Sequence, residues 1–283
     1  MYSFRETNDL ALNFDNLTEI DSCRSNLQDI ILYKHPLLGK ILVINQEVHH
    51  VESWAPFYHE MVVHLPIAFI PVVRSVLILG GGSLFAALEV LKYHTVEKIL
   101  MIDHDEAVIN IVSKNYSHAH NILSDKRFEL RINDAFAEIK GDHEQFDLII
   151  NDAVDLIAQG RGIKIDLFDT LNQKLKENGV CSDVIYRHIF ERKSTLNTLD
   201  ILQKSFHSLF SLVTVPEYPG IFHILCLWSK TNRYLNKKIL VNNIQKNWTG
   251  KVSSTCLYYH PQFLNYYCYL PPYLKKSLDN SQL

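Results

Sequence analysis

The sequence predicts an α/β protein: a mostly parallel sheet with helices on both faces, preceded by a small antiparallel β unit. Three observations predict it. Short continuous apolar runs, Ser75–Leu79, Lys98–Asp103, Phe128–Ile132 and Phe146–Asn151, alternate with segments of helical period, as buried parallel strands and their crossover helices must. The triplet Gly80-Gly81-Gly82 lies directly after the first run, where the chain has to turn sharply from strand into helix. Upstream, Gln28 to Val51 carries three extended runs separated by turn residues, the pattern of a small antiparallel sheet.

In chain order, Asp29–Tyr33, Lys40–Asn45 and Glu47–Val51 are the upstream strands, with His35-Pro-Leu-Leu-Gly39 and Asn45-Gln46 as turns. This unit is too small to hold a core alone and must pack on the larger domain downstream. Tyr58 to Ile70 reads as a helix that stops before Pro71, Ala86 to Tyr93 as the helix after the glycine triplet, and Glu106 to Asn115 as the next. Asp166 to Lys176 is helical, with Asn178-Gly179 as its expected C-terminal cap. The division predicted is residues 1–57 for the β-stranded N-terminal domain and 58–283 for the nucleotide-binding domain. The tail, Thr255 to Leu274, is rich in tyrosine and proline.

Composition narrows the class. Of 283 residues, 47% are apolar and 21% charged, with a formal charge of −3 and no basic block. That fits a folded soluble protein and gives no reason to expect a nucleic-acid partner. The N-terminal residues lack a secretory pattern and no run approaches the length of a spanning helix, so no membrane partner is expected and a cytoplasmic location is. Cys23, Cys181, Cys226, Cys256 and Cys268 are scattered without a Cys-x-x-Cys pair and read as reduced, mostly buried thiols. His49-His50 and His118/His120 lack a carboxylate or cysteine at ligand spacing, so no metal is expected.

The strand ends carry the chemistry. Gly80, Gly81 and Gly82 let the backbone approach a ligand, with Ser83 next. Asp103 ends the following strand about twenty residues on, where a carboxylate accepts ribose hydroxyls. Asp134-Ala135 follows the third strand, where a side chain meets an adenine edge. There is no Gly-Lys-Ser/Thr, which excludes a triphosphate loop, and Phe85 takes the last position of the dinucleotide glycine fingerprint. An adenosyl sulfonium is therefore favoured over NAD. Asp152 and Asp155 follow the fourth strand. An amine nucleophile is protonated at neutral pH, and a carboxylate beside it can take that proton; the competing role for either acid is to cap the next segment.

At these residues the chain resembles the spermidine synthase (polyamine aminopropyltransferase) family. Tyr58-His59-Glu60 before the first parallel strand, Val76 to Gly82, Glu89 to Glu97, Asp103-His-Asp105, Asp134-Ala135, Asp152-x-x-Asp155, Pro216 to Gly220, and Tyr258 through Leu274 match its motifs. The resemblance implies a β-stranded N-terminal domain, a Rossmann-like sheet of the methyltransferase type, and a homodimer. It implies S-adenosylmethionine or its decarboxylated form as donor substrate, with Gln28, Asp103 and Asp134 on the adenosyl part. It implies Asp152 as proton acceptor, with Asp155, Tyr58 and Tyr218 lining the acceptor side and His59 beside them.

The chain also departs from the family. Ser83 stands where the family has the aspartate that grips the donor's amine. Trp54-Ala55 replaces an acidic pair, and Leu156-Ile-Ala-Gln159 replaces Pro-x-Gly-Pro. Negative charge is thus missing on both sides of the pocket. The expectation is an aminopropyl or 3-amino-3-carboxypropyl transferase whose acceptor is not plain putrescine, either another small molecule or a peptide-nucleotide. The transferase of microcin C-type pathways is such a relative. Spermidine synthase proper, an S-adenosylmethionine-dependent methyltransferase and a non-catalytic nucleoside binder are the alternatives.

Overall fold

A computed structural model describes residues 2–5, 11–141, 144–153, 165–185, 192–218, 223–231 and 247–272. The N-terminal strands are β1 (Tyr2–Arg5), β2 (Ala11–Phe14), β3 (Thr18–Arg24), β4 (Asp29–His35), β5 (Gly39–Ile44) and β6 (Glu47–Val51). Strands β3 to β6 form a four-stranded antiparallel sheet, and β1 pairs with β2. Phe4, Phe14, Tyr33, Ile41, Val43, Val48 and Val51 form a separate small core here.

The larger sheet has seven strands in the order β12-β13-β11-β10-β7-β8-β9. These are β7 (Ser75–Gly80), β8 (Lys98–Asp103), β9 (Phe128–Ile132), β10 (Phe146–Asp152), β11 (Leu175–Ile185), β12 (His207–Val213) and β13 (His223–Ser229). Strands β7 to β11 run parallel, and β13 is antiparallel to both β11 and β12. The fold class read from the sequence is therefore present. Val76 to Leu79 are almost completely buried, which is why that strand reads as a continuous apolar run; each such residue contributes about 1.5–3 kcal/mol. Asp147 on β10 ties the strand starts together, accepting from the Arg74 and Ser75 amides at 2.9 Å and from Lys176 Nζ at 3.0 Å.

Helices cover both faces, as expected. On one lie α1 (Ala55–Ile67), α2 (Phe85–Val90), α3 (Glu106–Asn115) and α4 (Ser117–Leu123); on the other lie α5 (Ala135–Gly141) and the helices Ile165–Lys174 and Arg192–Ser205. Helix α1 begins at Ala55, three residues before the predicted start, because Pro56 sits in its first turn, where a missing N–H costs nothing. The predicted cap at Asn178-Gly179 is wrong. The helix ends at Lys174 and both residues lie inside β11, at an irregularity in its pairing with β10. Gly179 belongs there because a Cβ would come within 2.8 Å of the Phe146 carbonyl oxygen. None of the five cysteines forms a disulfide, and Cys23 is exposed rather than buried.

Helix α1 is the keystone of the packing, with Ala55 and every residue from His59 to Ile67 buried. Glu60 accepts hydrogen bonds from the backbone N–H groups of Leu257, Tyr258 and Tyr259 at 2.8, 2.8 and 2.7 Å, clamping the C-terminal segment onto the helix. His64 bonds Glu89 Oε2 and the Tyr93 hydroxyl, both at 2.8 Å, and its Nε2 lies 3.2 Å from Cys256 Sγ. His64, Glu89 and Cys256 bring three metal-ligand atoms within 4.8 Å, but the Lys92 ammonium on Glu89 already supplies the counter-charge. Glu60→Ala removes the acceptor of three backbone amides, of which that of Tyr259 is buried; each hydrogen bond to a charged group is worth about 1.5–3 kcal/mol. The expected result is a loss on the order of 3 kcal/mol or more in chemical denaturation, with faster hydrogen exchange at residues 257–259.

Candidate active site

Strand order reverses between β7 and β10, so the crevice at their carboxyl ends is the place for a ligand in such a sheet. Gly80 and Asp152 are Cα partners across it. Gly80 and Gly81 take φ of 75° and 89°, a conformation open to glycine. A Cβ on Gly81 would lie 3.3 Å from Asp152 Oδ2, and one on Gly82 would lie 2.7 Å from Val108 Cγ1 and 3.3 Å from Asp103 Oδ2. The loop thus forms a cradle between the two carboxylates that a side chain would fill. Leu84 then adopts φ 64°, which commits Phe85 to the start of α2.

On the side of β8, Asp103 is buried, accepts from the Asp105 amide at 3.0 Å, and has its carboxyl raised by burial. Asp105 caps α3 through the Ala107 amide and accepts from Ser25 Oγ at 2.7 Å and Gln28 Nε2 at 2.9 Å. Burial would raise this carboxyl, but those hydrogen bonds, Gln28 first, outweigh it and hold it below its ordinary range. Gln28 therefore reaches the carboxyl end of β8 through Asp105, carrying the N-terminal sheet with it. Asp134 is exposed and caps α5, accepting from the Phe136 and Ala137 amides at 2.9 and 3.0 Å. Ala135 is the first residue of that helix.

Towards β10, Tyr58 donates from its hydroxyl to Asp152 Oδ1 at 2.8 Å. Both residues are half-buried. Desolvation pushes the Asp152 carboxyl up to about 7 against the opposing pull of the Tyr58 hydrogen bond, and the nearby Asp103 charge adds to the rise. The Tyr58 hydroxyl is held well above its usual range by burial, then by Asp152, with further contributions from Asp183 and Tyr218. Tyr218 is buried with its ring 5.4 Å from that of His223. Asp155 and Leu156–Gln159 lie outside the described residues.

His59 donates from Nδ1 to the Ala55 carbonyl oxygen at 3.0 Å and packs its ring against Phe85 and His50 at centroid distances of 5.5 and 5.6 Å. Burial lowers its pKa to about 4 and depresses His50 and His118 as well. His118 contacts the Ser83 carbonyl at 3.2 Å, and the Phe85 amide lies 3.5 Å from Ser83 Oγ. His118 thus joins Ser83 to an aromatic cluster of His50, His59, Phe85 and Tyr116, in which burial disfavours the charged imidazoles. The sequence reading missed this cluster, because His50, His59 and His118 meet only through the fold. It also missed Asp183, a buried acid on β11, and Glu217, whose carboxyl burial raises to about 7 while it accepts from the Val51 amide at 3.2 Å.

The structure thus brings Gly80, Gly81, Gly82, Ser83, Asp103, Tyr58, His59, Asp152 and Tyr218 to one crevice, with Gln28, Asp134 and Ala135 at its rim. Residues 55–238 match the model of the spermine/spermidine synthase domain. The chain is 30% identical over 258 residues to a polyamine aminopropyltransferase of Buchnera aphidicola, covering 89% of this chain and 88% of that protein. It is 31% identical over 239 residues to putrescine N-methyltransferase 2 of Nicotiana tabacum, covering 82% and 66%. Among solved structures, a spermidine synthase in complex with the transition-state analogue AdoDATO aligns with a TM-score of 0.80 at 25% identity, covering 93% of this chain and 88% of the other. That of Thermotoga maritima aligns with a TM-score of 0.80 at 24% identity, over 92% and 87%, and speaks for the fold. A family model matching well over half of the chain, together with a relative aligned along most of both lengths, makes this chain an enzyme of the spermine/spermidine synthase family.

Proposed function

We propose that this enzyme transfers an aminopropyl or 3-amino-3-carboxypropyl group from an adenosyl sulfonium donor to an amine acceptor, releasing 5′-methylthioadenosine. The observation that carries the reading is Asp152, a desolvated carboxylate bonded by Tyr58 and facing the glycine cradle. Asp103 holds the ribose hydroxyls and Asp134-Ala135 the adenine edge. The acceptor nitrogen attacks the propyl carbon attached to sulfur. The carbon–sulfur bond breaks, its electron pair stays on sulfur as the neutral thioether, and Asp152 takes the proton from the nitrogen. Tyr58 fixes the carboxylate in line, and Tyr218 lines the acceptor side. With Trp54-Ala55 in place of two acids, the acceptor is an amine other than plain putrescine.

A second reading is methyl transfer, favoured by the likeness to the tobacco putrescine N-methyltransferase. Mass spectrometry of the spent donor separates the two. 5′-Methylthioadenosine is expected, and S-adenosylhomocysteine overturns propyl transfer.

Asp152→Asn keeps the shape and removes the base. Turnover is expected to fall about 10²–10⁴-fold, with donor affinity in calorimetry little changed. In the wild type, the rate limited by this proton transfer rises with pH through about 7, because the base acts only when deprotonated. Stability runs the other way. Asp152, Asp183 and Glu217 are each raised to about 7 in the folded protein, so between about pH 4 and 7 the native state holds protons that the unfolded chain releases. Free-protein stability therefore falls across that window and levels above it, as urea denaturation at a series of pH values will show.

Ser83 sets donor choice. A serine bonds an amine or a carboxylate without repelling the latter, whereas like charges at about 4 Å cost roughly 4 kcal/mol at an effective dielectric near 20. S-Adenosylmethionine is expected to be used at least as well as its decarboxylated form. Ser83→Asp is expected to shift preference towards the decarboxylated donor by tens-fold. Competition assays that show strict use of the decarboxylated donor, unmoved by the substitution, refute the donor switch.

A further inference from the structure

Three ligand-type atoms from distant parts of the chain meet at one ring nitrogen. His64 Nε2 on α1 lies 2.8 Å from Glu89 Oε2 on α2 and 3.2 Å from Cys256 Sγ in the C-terminal segment. All three atoms fall within 4.8 Å of one another. A ring nitrogen carries at most one proton, which points in one direction, so it cannot serve a carboxylate and a sulfur equally. The His64 side chain is fully buried and that of Glu89 nearly so, while Cys256 is half-buried. The thiol is thus the most accessible member of the cluster.

The surroundings suit a ligating imidazole. A metal-bound histidine needs a partner on its other nitrogen, and the Tyr93 hydroxyl already stands 2.8 Å from His64 Nδ1. A hydroxyl both donates and accepts. It donates to Nδ1 while Nε2 carries the proton, and accepts from Nδ1–H once Nε2 turns to a cation. Beside the imidazole, the Tyr259 ring centroid lies 5.6 Å from that of His64. Tyr259 is buried and its hydroxyl has no hydrogen-bond partner. Unpaired buried donors are uncommon, and a thiolate at Cys256 places an anion within electrostatic reach of this one. Lys92 is the competitor. Its ammonium sits on the same Glu89 oxygen and neutralises the acid while the cluster is empty, so an incoming cation has to displace it.

We propose that His64, Glu89 and Cys256 form a site for one zinc-type divalent cation, which staples the C-terminal segment to α1 and α2. Imidazole, carboxylate and thiolate are donors that zinc takes, at about 2.0–2.1, 2.0–2.2 and 2.3 Å. Tetrahedral coordination at those lengths spaces nitrogen from oxygen by about 3.3 Å and nitrogen from sulfur by about 3.6 Å. The observed 2.8 and 3.2 Å therefore open by only about 0.4–0.5 Å. A thiolate and a carboxylate together match the charge of a divalent cation, and the thiol proton leaves on binding. A water fills the fourth position. No local spacing announces the site, because His64 and Cys256 lie 192 residues apart. It stands independently of the transferase reading.

The test is titration of the chelator-treated full-length protein with Co²⁺, followed by competition with Zn²⁺. One equivalent of Co²⁺ is expected to give tetrahedral visible bands and a thiolate-to-cobalt charge-transfer band, both removed by Zn²⁺. Zn²⁺ is expected to raise the thermal midpoint by linkage. Cys256→Ser is expected to lose the charge-transfer band, to bind Zn²⁺ at least about tenfold more weakly and to show no zinc-induced midpoint shift. Tyr93→Phe is expected to keep the band and weaken binding by about 10–100-fold. Lys92→Met is expected to strengthen it. One reading needs no variant: Zn²⁺ is expected to protect Cys256 of the folded wild type from alkylation, seen by peptide mass spectrometry, and to leave the exposed Cys23 reactive. Absence of the charge-transfer band in the wild type overturns the proposal. So does equal alkylation of Cys256 with and without Zn²⁺. A band or midpoint shift that persists in Cys256→Ser, the mark of other thiols or surface histidines, overturns it as well.

Discussion

The hydrogen bond from Tyr58 to Asp152 joins the two halves of the crevice, and most of the site depends on it. Asp152 ends a parallel strand at the topological switch point, and Tyr58 lies on the helix that crosses that face. Successive side chains of this helix divide the work. Tyr58 holds the carboxylate, His59 packs on Phe85 behind the glycine loop, Glu60 clamps three amides of the tail, and His64 ties the helix to Glu89 and Tyr93. The three-residue run Tyr58-His59-Glu60 thus ties the Asp152 carboxylate, Phe85 behind the glycine loop and the C-terminal segment to one rigid element.

Electrostatics give the crevice its character. Asp103 is buried and Asp152 half-buried at the strand ends, and desolvation raises both carboxyls. Acids held this way are a liability in the empty protein and a fit for cationic ligands, because a positive group entering the crevice offsets the charge that solvent no longer screens. A sulfonium donor and an ammonium acceptor are both cations. The histidines beside Ser83 work in the opposite sense. Burial disfavours their charged forms, so the cluster that reaches Ser83 through His118 offers no imidazolium clamp.

The sequence made the parallel strands legible because burial on both faces leaves an unbroken apolar run, as in Ser75-Val-Leu-Ile-Leu79. It made the cradle legible because glycine between strand and helix has a steric cause, seen in the close approach at Gly82. Asp152 was legible from its place at a strand end. What escaped was set by contacts distant in the chain. Strands β1 to β3 are short and largely exposed, so no periodicity marks them. Asn178-Gly179 has the chemistry of a helix cap, yet it lies in the register shift of β11 against β10, where the Phe146 carbonyl leaves no room for a Cβ at residue 179. Asp183 sits in Val-Cys-Ser-Asp-Val-Ile, a run that identifies a strand but not which face its one acid occupies. Glu60 lies 197 to 199 residues from the amides it clamps, beyond any local pattern.

Desolvation, checked by Tyr58, poises Asp152 near neutrality, and the proposed chemistry turns on that poise. Carboxyl carbon NMR can follow the Asp152 titration in the wild type and in Tyr58→Phe, with Asp152→Asn assigning the resonance. The midpoint is expected near 7 in the wild type, and higher in Tyr58→Phe, where the hydrogen bond that favours the charged form is lost. An Asp152 midpoint in the ordinary aspartate range near 4, unmoved by Tyr58→Phe, would contradict it.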